Sequence, residues 1–208
     1  MSIASELANK LLQIKAIRLS PQNPFTWASG WKSPIYCDNR IILSHPALRR
    51  FVVQGFVELA RSMPPFDAVA GVATAGIAHG VLLAEALDLP SVYVRAKAKE
   101  HGRRNMIEGE LQPGSRVLVV EDLISTGGSC LAAVEALRDA GAEVAGVTAV
   151  FSYGFAEADA AFAAAGCPWA TLSHYNVLIE AAQELGVVSA ADMEMLRDWR
   201  SRPTEWGR

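Results

Sequence analysis

The stretch that most constrains the fold of this chain is 117–129, which reads V-L-V-V-E-D-L-I-S-T-G-G-S. An unbroken apolar run suits a strand buried on both faces, the situation of a strand inside a parallel sheet. The strand is expected over 117–121 and ends at two adjacent carboxylates, Glu121 and Asp122. A turn follows that carries the hydroxyls of Ser125, Thr126 and Ser129, with Gly127 and Gly128 free to adopt positive φ and to let a ligand approach the backbone. Residues 130–140 then place Leu131, Val134 and Leu137 on one helical stripe that stops at Gly141, a good residue to end a helix.

Strand, turn and helix in that order have a chemical consequence. In open α/β sheets ligands sit beyond the carboxyl ends of the strands, so Glu121 and Asp122 are expected to face a crevice. The helix start offers main-chain N–H groups and the positive end of a dipole, a setting that favours phosphate. Two common nucleotide motifs do not fit: no Lys follows Gly128 as a Walker loop requires, and the acids precede the glycines, the reverse of the dinucleotide fingerprint. The pattern calls for a phosphate attached to hydroxyls that carboxylates can grip, as in a sugar phosphate.

With 208 residues the chain can build one sizeable core and is short for two, so a single domain is expected over 1–208. A formal net charge of −3 argues against broad nucleic-acid binding. Cys37, Cys130 and Cys167 are odd in number and widely spaced, which speaks against a disulfide framework or a zinc site. The uncharged run over 68–84 is interrupted by Gly71, Gly76, His79 and Gly80 and is expected to be strand, turn and helix rather than a membrane span. A cytoplasmic location is expected.

Along the chain, 2–15 has helical spacing through Leu7, Leu11 and Ile14. Residues 16–40, punctuated by Pro21, Pro24, Gly30 and Pro34 and rich in aromatics, predict a small lobe of turns and short strands. Ser44, as N-cap, and Pro46 predict a helix running to about 62. Alternation begins after Pro64 and Pro65: strand 67–72, helix 76–87, strand 91–95, the strand and helix already described, strand 144–151, helix 157–165 and strand 169–172. Such alternation predicts an α/β fold with a mostly parallel central sheet over 65–172. Ser189 and Asp192 predict a capping box opening a last helix to about 200.

Three further segments are expected to converge on the same sheet edge. The small-residue turn 71–76, with Thr74, Ala75 and Gly76, can bind an anion through main-chain amides. The polar segment 96–110 has no apolar period, and with Arg95 it brings Lys97, Lys99, His101, Arg103 and Arg104 into a loop long enough to serve as a lid. The third is the aromatic lobe, F-T-W-A-S-G-W-K-S-P-I-Y from Phe25 to Tyr36.

These motifs resemble those of the type I phosphoribosyltransferases, and among them the orotate phosphoribosyltransferases in the form found in Gram-positive-type bacteria. The stretch V-E-D-L-I-S-T-G-G-S is similar to the family's signature for 5-phosphoribosyl 1-pyrophosphate (PRPP). By that resemblance Glu121, Asp122, Leu123, Ile124, Ser125, Thr126, Gly127, Gly128 and Ser129 bind PRPP, the acids on the ribose hydroxyls and the loop on the 5-phosphate. The turn with Thr74, Ala75 and Gly76 contacts pyrophosphate. Arg95, Lys99 and His101 match the R-x-x-x-K-x-H spacing of the flexible catalytic loop, so they also fall to PRPP, with Lys99 and His101 as catalytic groups. The aromatic lobe resembles the hood that recognises the base, which makes Lys32, Ser33, Tyr36 and Ser125 candidates for orotate. Other members often carry Lys where Ala28, Ala75 and Ala96 stand, and Arg in place of Tyr153.

The resemblance implies transfer of ribose 5-phosphate from PRPP to N1 of orotate. It also implies Mg²⁺ held through PRPP with no direct protein ligand, and a homodimer whose catalytic loop reaches the neighbouring site. Two other outcomes stay open: a related enzyme acting on another base, and a PRPP-binding regulator that has kept the signature without the chemistry.

Overall fold

The computed structural model describes residues 2–27, 29–96 and 106–206. Helix α1 (Ile3–Gln13) leads into a small lobe of paired short strands, β1 (Ile17–Leu19) with β4 (Ile35–Cys37) and β2 (Phe25–Thr26) with β3 (Lys32–Ser33), all antiparallel. A 3-10 helix (Asn39–Ser44) and helix α2 (Pro46–Ala60) connect this lobe to the main sheet. There follow β5 (Ala68–Val72), α3 (Gly76–Leu87), β6 (Ser91–Val94), β7 (Ile107–Glu108), β8 (Arg116–Ile124), α4 (Gly128–Asp139), β9 (Glu143–Ser152) and α5 (Ala156–Ala164). The described chain ends with β10 (Trp169–His174), α6 (Tyr175–Glu184) and α7 (Ala190–Ser201).

The sheet runs β10-β9-β8-β5-β6-β7, parallel except for β7, which returns antiparallel along β6 with Val94 opposite Ile107. The strand carrying the acids is therefore interior, paired with β5 on one side and β9 on the other. Its apolar run alternates between two cores. Leu118 and Val120 belong to a core built with residues of α1, α2, α3, α6 and α7, whereas Val117 and Val119 belong to one built with Cys130, Val134 and Leu137 of α4 and Phe162 of α5. Burial on both faces explains why the sequence reads as continuous hydrophobicity rather than alternation.

Several boundaries differ from those the sequence predicts. Strand β8 does not stop at Glu121: pairing with β9 continues through Leu123 opposite Phe151 to Ile124 opposite Ser152, so both acids lie within the strand. Ser44 does not cap α2. It ends the 3-10 helix, and His45, held extended at φ −115 and ψ 90 ahead of Pro46, occupies the cap position without a side-chain bond. A residue preceding proline is pushed out of the helical region, so the break falls there. Helix α6 begins at Tyr175 directly after β10, with no turn residue in the sequence to announce it. The end of the segment read as a loop is strand β7, too short at Ile107–Glu108 to show periodicity. The capping box at Ser189 and Asp192 is present as predicted. Among the described residues no helix is long and apolar enough to cross a membrane.

Candidate active site

At the carboxyl end of β8 the chain turns through Ser125, Thr126 and Gly127 into α4. Gly127 has φ +87 and lies against Phe162, where a Cβ would come within 2.9 Å of the ring, so both conformation and space require glycine. Ser125 is half-buried, while Thr126, Gly128 and Ser129 are exposed on the outer side of the turn. Ile124 points into the core, and its carbonyl accepts the Tyr153 N–H at 3.1 Å. The first turn of α4 thus faces solvent with its hydroxyls and amides on the side where a phosphate would dock.

The two acids leave the strand on opposite sides, yet their carboxyls stay close enough to interact. Consecutive residues of a strand project to opposite sides, and β8 carries the alternation of its apolar run straight through the acids. Glu121 is 6% exposed and turns toward α4, where Oε1 accepts the Asp122 N–H at 2.9 Å and Oε2 lies 3.8 Å from the Cys130 thiol. Burial, reinforced by Asp122, pushes the Glu121 carboxyl up to about 9, which favours its neutral form. Glu121 is thus buried where the sequence predicts an acid open to a crevice, and Asp122 is half-buried on the lobe side. Its carbonyl accepts a hydrogen bond from Asn39 Nδ2 at 2.8 Å, which ties the segment after the lobe to the strand.

The turn after β5 lies beside these acids. Gly76, the first residue of α3, is so close to β8 that a Cβ would meet the Val120 carbonyl oxygen at 2.5 Å and Glu121 Oε1 at 3.3 Å. Thr74 is exposed, Ala75 half-buried, and the Ala73–Thr74 peptide is cis. One turn along α3, His79 is buried with neither ring nitrogen bonded among the described residues, and burial lowers its pKa against the opposing effect of Asp122. Among the described residues no group of three or more His, Cys, Asp or Glu is arranged to hold a metal ion.

Between the lobe and the β8 turn lies a cavity of about 340 Å³ lined by Thr26, Trp27, Tyr36, Cys37, Leu123, Ser125 and Tyr153. Trp27 and Tyr153 stack at 5.2 Å between ring centroids with 26° between planes, giving the cavity an aromatic wall. Tyr36 lies on the rim with the Arg18 guanidinium 4.9 Å from its ring centroid. Lys32 does not line the cavity itself; its Nζ donates to Thr26 Oγ1 at 2.8 Å, one residue from the wall. Ser33 is turned away: it is fully buried, and its hydroxyl donates to the Ile35 carbonyl at 2.9 Å, which removes it from the candidates for this cavity.

At the edge of the sheet, Arg95 pairs with Glu108 across the β6–β7 ladder, Nη1 to Oε1, at 3.4 Å. Lys99 and His101 lie outside the described residues.

The phosphoribosyl transferase domain model matches residues 57–162. Over 97% of its length the chain is 54% identical to the orotate phosphoribosyltransferase of Bacillus caldolyticus, covering 98% of that protein. The chain belongs to the orotate phosphoribosyltransferase family. It is also similar to the crystal structure of orotate phosphoribosyltransferase from Aeropyrum pernix, with TM-score 0.74, 30% identity and coverage of 88% of this chain and 99% of that one. The Mycobacterium tuberculosis H37Rv orotate phosphoribosyltransferase, solved in complex with PRPP, aligns with TM-score 0.67 and 28% identity over 85% of this chain and 98% of that one.

For this orotate phosphoribosyltransferase family member, the sequence motifs account for the turn after β8 more fully than for the cavity beside it. Tyr36, Leu123 and Ser125, all named from sequence, meet at the cavity, but Trp27, Cys37 and Tyr153 complete its wall and were not singled out for it. Trp27 sits inside the lobe motif and could have been chosen by its place beside Thr26. Tyr153 is far away in sequence, and only the pairing of β8 with β9, which brings Ile124 opposite Ser152, delivers it to the site.

Proposed function

We propose that the protein transfers ribose 5-phosphate from PRPP to N1 of orotate, releasing pyrophosphate and forming orotidine 5′-monophosphate for pyrimidine synthesis. The observation that carries this is the shared position of Ser125, which belongs to the phosphate turn and also lines the aromatic cavity. A planar base in that cavity and a sugar phosphate on the turn would meet at one residue. The cavity volume of about 340 Å³ falls within the range of about 300–1,000 Å³ usual for small-molecule sites.

In this reading the start of α4 holds the 5-phosphate through Thr126, Gly127, Gly128 and Ser129, and Asp122 grips the ribose hydroxyls. Glu121 braces the main chain of Asp122 from behind. The turn with Thr74, Ala75 and Gly76 receives the pyrophosphate. Trp27, Tyr36 and Tyr153 hold the orotate ring, and Lys32, through Thr26, brings positive charge toward an anionic base. Bond breaking at the anomeric carbon leaves an oxocarbenium-like sugar and a highly charged leaving group, so positioning and charge stabilisation are the protein's main tasks. Arg95 at the sheet edge leads into the segment whose Lys99 and His101 would stabilise the departing pyrophosphate. Mg²⁺ neutralises charge on the diphosphate when bound. One half-exposed carboxylate at Asp122 and an inward-turned one at Glu121 suit an ion held mainly by substrate oxygens. A cytoplasmic homodimer in which that segment serves the neighbouring subunit's site completes the proposal.

The test follows orotate absorbance with purified protein, PRPP and Mg²⁺, with uracil and hypoxanthine as alternative acceptors. Consumption of orotate alone is expected; turnover of another base in its place would reassign the acceptor.

A further inference from the structure

The helix that closes the described chain, α7, lies beyond the 57–162 match yet contacts the acceptor cavity from behind. Trp199 is fully buried, with its ring edge-on to Tyr153 at 5.7 Å and to Trp27 at 5.7 Å between centroids. Beside it, Arg200 donates from Nη2 to the Gly154 carbonyl at 2.7 Å and from Nε to the Tyr153 carbonyl at 3.3 Å. Both acceptors belong to the turn that leaves β9, and Gly154 takes φ +66 there, with a Cβ position only 3.2 Å from Arg200 Nη2. A glycine at positive φ gives a turn little stiffness of its own. One guanidinium making two charge-assisted bonds supplies what the turn lacks.

The same turn is fastened on its other side. Tyr153 donates its N–H to Ile124, and the Gly154 N–H donates to Ser152 Oγ at 2.9 Å. The Tyr153 ring therefore occupies a place defined by the phosphate strand in front and by α7 behind. Arg200 does not line the 340 Å³ cavity; it lines a second cavity of about 450 Å³ that also contains Ser152, Asp159 and His174, and Tyr153 separates the two.

We propose that Arg200 is a positioning residue for the acceptor: by holding the carbonyls of Tyr153 and Gly154 it sets the aromatic wall against which the base packs, without touching substrate. This rests on the proposed reaction and adds a residue to it. Binding sites hold their geometry to within about 0.5 Å, and a planar ligand packed on an aromatic face feels a shift of that wall directly. The donor grip depends on β8, α4 and the turn after β5, which Arg200 does not contact.

Initial rates with each substrate varied in turn decide the matter for wild type, Arg200→Gln, Arg200→Lys and, as a control, Arg197→Gln, which changes an exposed arginine on the same helix. Arg200→Gln is expected to raise KM for orotate by about tenfold with KM for PRPP within about twofold of wild type. Arg200→Lys recovers part of the loss, and Arg197→Gln behaves as wild type. An unchanged orotate KM, or equal rises in both KM values, would overturn the assignment. Should Arg200→Gln fail to fold, Arg200→Lys carries the test with an expected orotate-specific rise of about threefold. Absence of orotate turnover by the wild type would instead sink the proposed reaction.

Discussion

Glu121 accepts the main-chain N–H of its neighbour Asp122 at 2.9 Å, so the two acids of the motif are joined through backbone as well as by the interaction of their carboxyls, with Glu121 buried and Asp122 half-buried. Their roles should separate accordingly. Glu121→Gln keeps the size and the acceptor oxygen and is expected to leave kcat/KM for PRPP within about threefold, whereas Asp122→Asn should lower it by about 100-fold or more, the scale of losing a charge placed at the reacting sugar. Steady-state kinetics on the two purified variants make the comparison, and equal losses would mean that Glu121 also reaches substrate.

The raised pKa of Glu121 has a consequence for stability. Above about 4.5 the acid ionises in the unfolded chain but stays protonated in the fold until about 9, so the folded state binds more protons across that window. Stability must then fall as pH rises through it, by roughly 1 kcal/mol per pH unit from this group. Glu121→Gln removes the dependence. Urea unfolding of wild type and variant at pH 6 and pH 8 should show the variant gaining on wild type at the higher pH, and a constant difference would show that the acid is ionised in the fold.

Gly76→Ala should be costly out of proportion to one methyl group. Its Cβ would fall 2.5 Å from the Val120 carbonyl, forcing α3 away from β8 at the point where the turn after β5 meets the acids. A loss of about 1–3 kcal/mol is expected, together with a raised KM for PRPP. Thermal melts and kinetics report the two effects, and an unchanged melting temperature would mean that the helix start yields freely.

Lys99→Ala should lower kcat by about 100-fold or more with a modest change in PRPP affinity if Lys99 meets the departing pyrophosphate as proposed, because such a contact strengthens mainly in the transition state. Mixing this variant with Asp122→Ala and allowing subunits to exchange should restore part of the activity if each site borrows the segment of its neighbour. No recovery despite demonstrated exchange would place each segment in its own subunit's site.

The sheet, the β8–α4 unit and the turn after β5 were legible in sequence because each depends on local information: a long apolar run, small residues at a turn, a helical stripe. What escaped depends on pairing. That Glu121 faces the core follows from β8 continuing to Ile124, which β9 enforces and no residue within 117–129 declares. Ser33 looked like a pocket residue because its motif neighbours are, yet its hydroxyl closes a bond with Ile35 two positions away. The strand Ile107–Glu108 is set by its partner β6, and Tyr153 reaches the cavity from a distant element that carries no motif.

The register of β8 has one more implication. Between Val117 and Leu118 the pairing with β9 shifts by one residue, with Ala145 as the extra position, and from there it runs in step to Ile124. Because neighbouring strand positions alternate sides, a slip of one place beyond that bulge would send Asp122 into the packed interior and bring Glu121 out. Insertions in the flanking turns can be absorbed, but one between Leu118 and Asp122 would exchange the two acids. The spacing from the bulge to Asp122 thus decides which of the two acids is the more accessible.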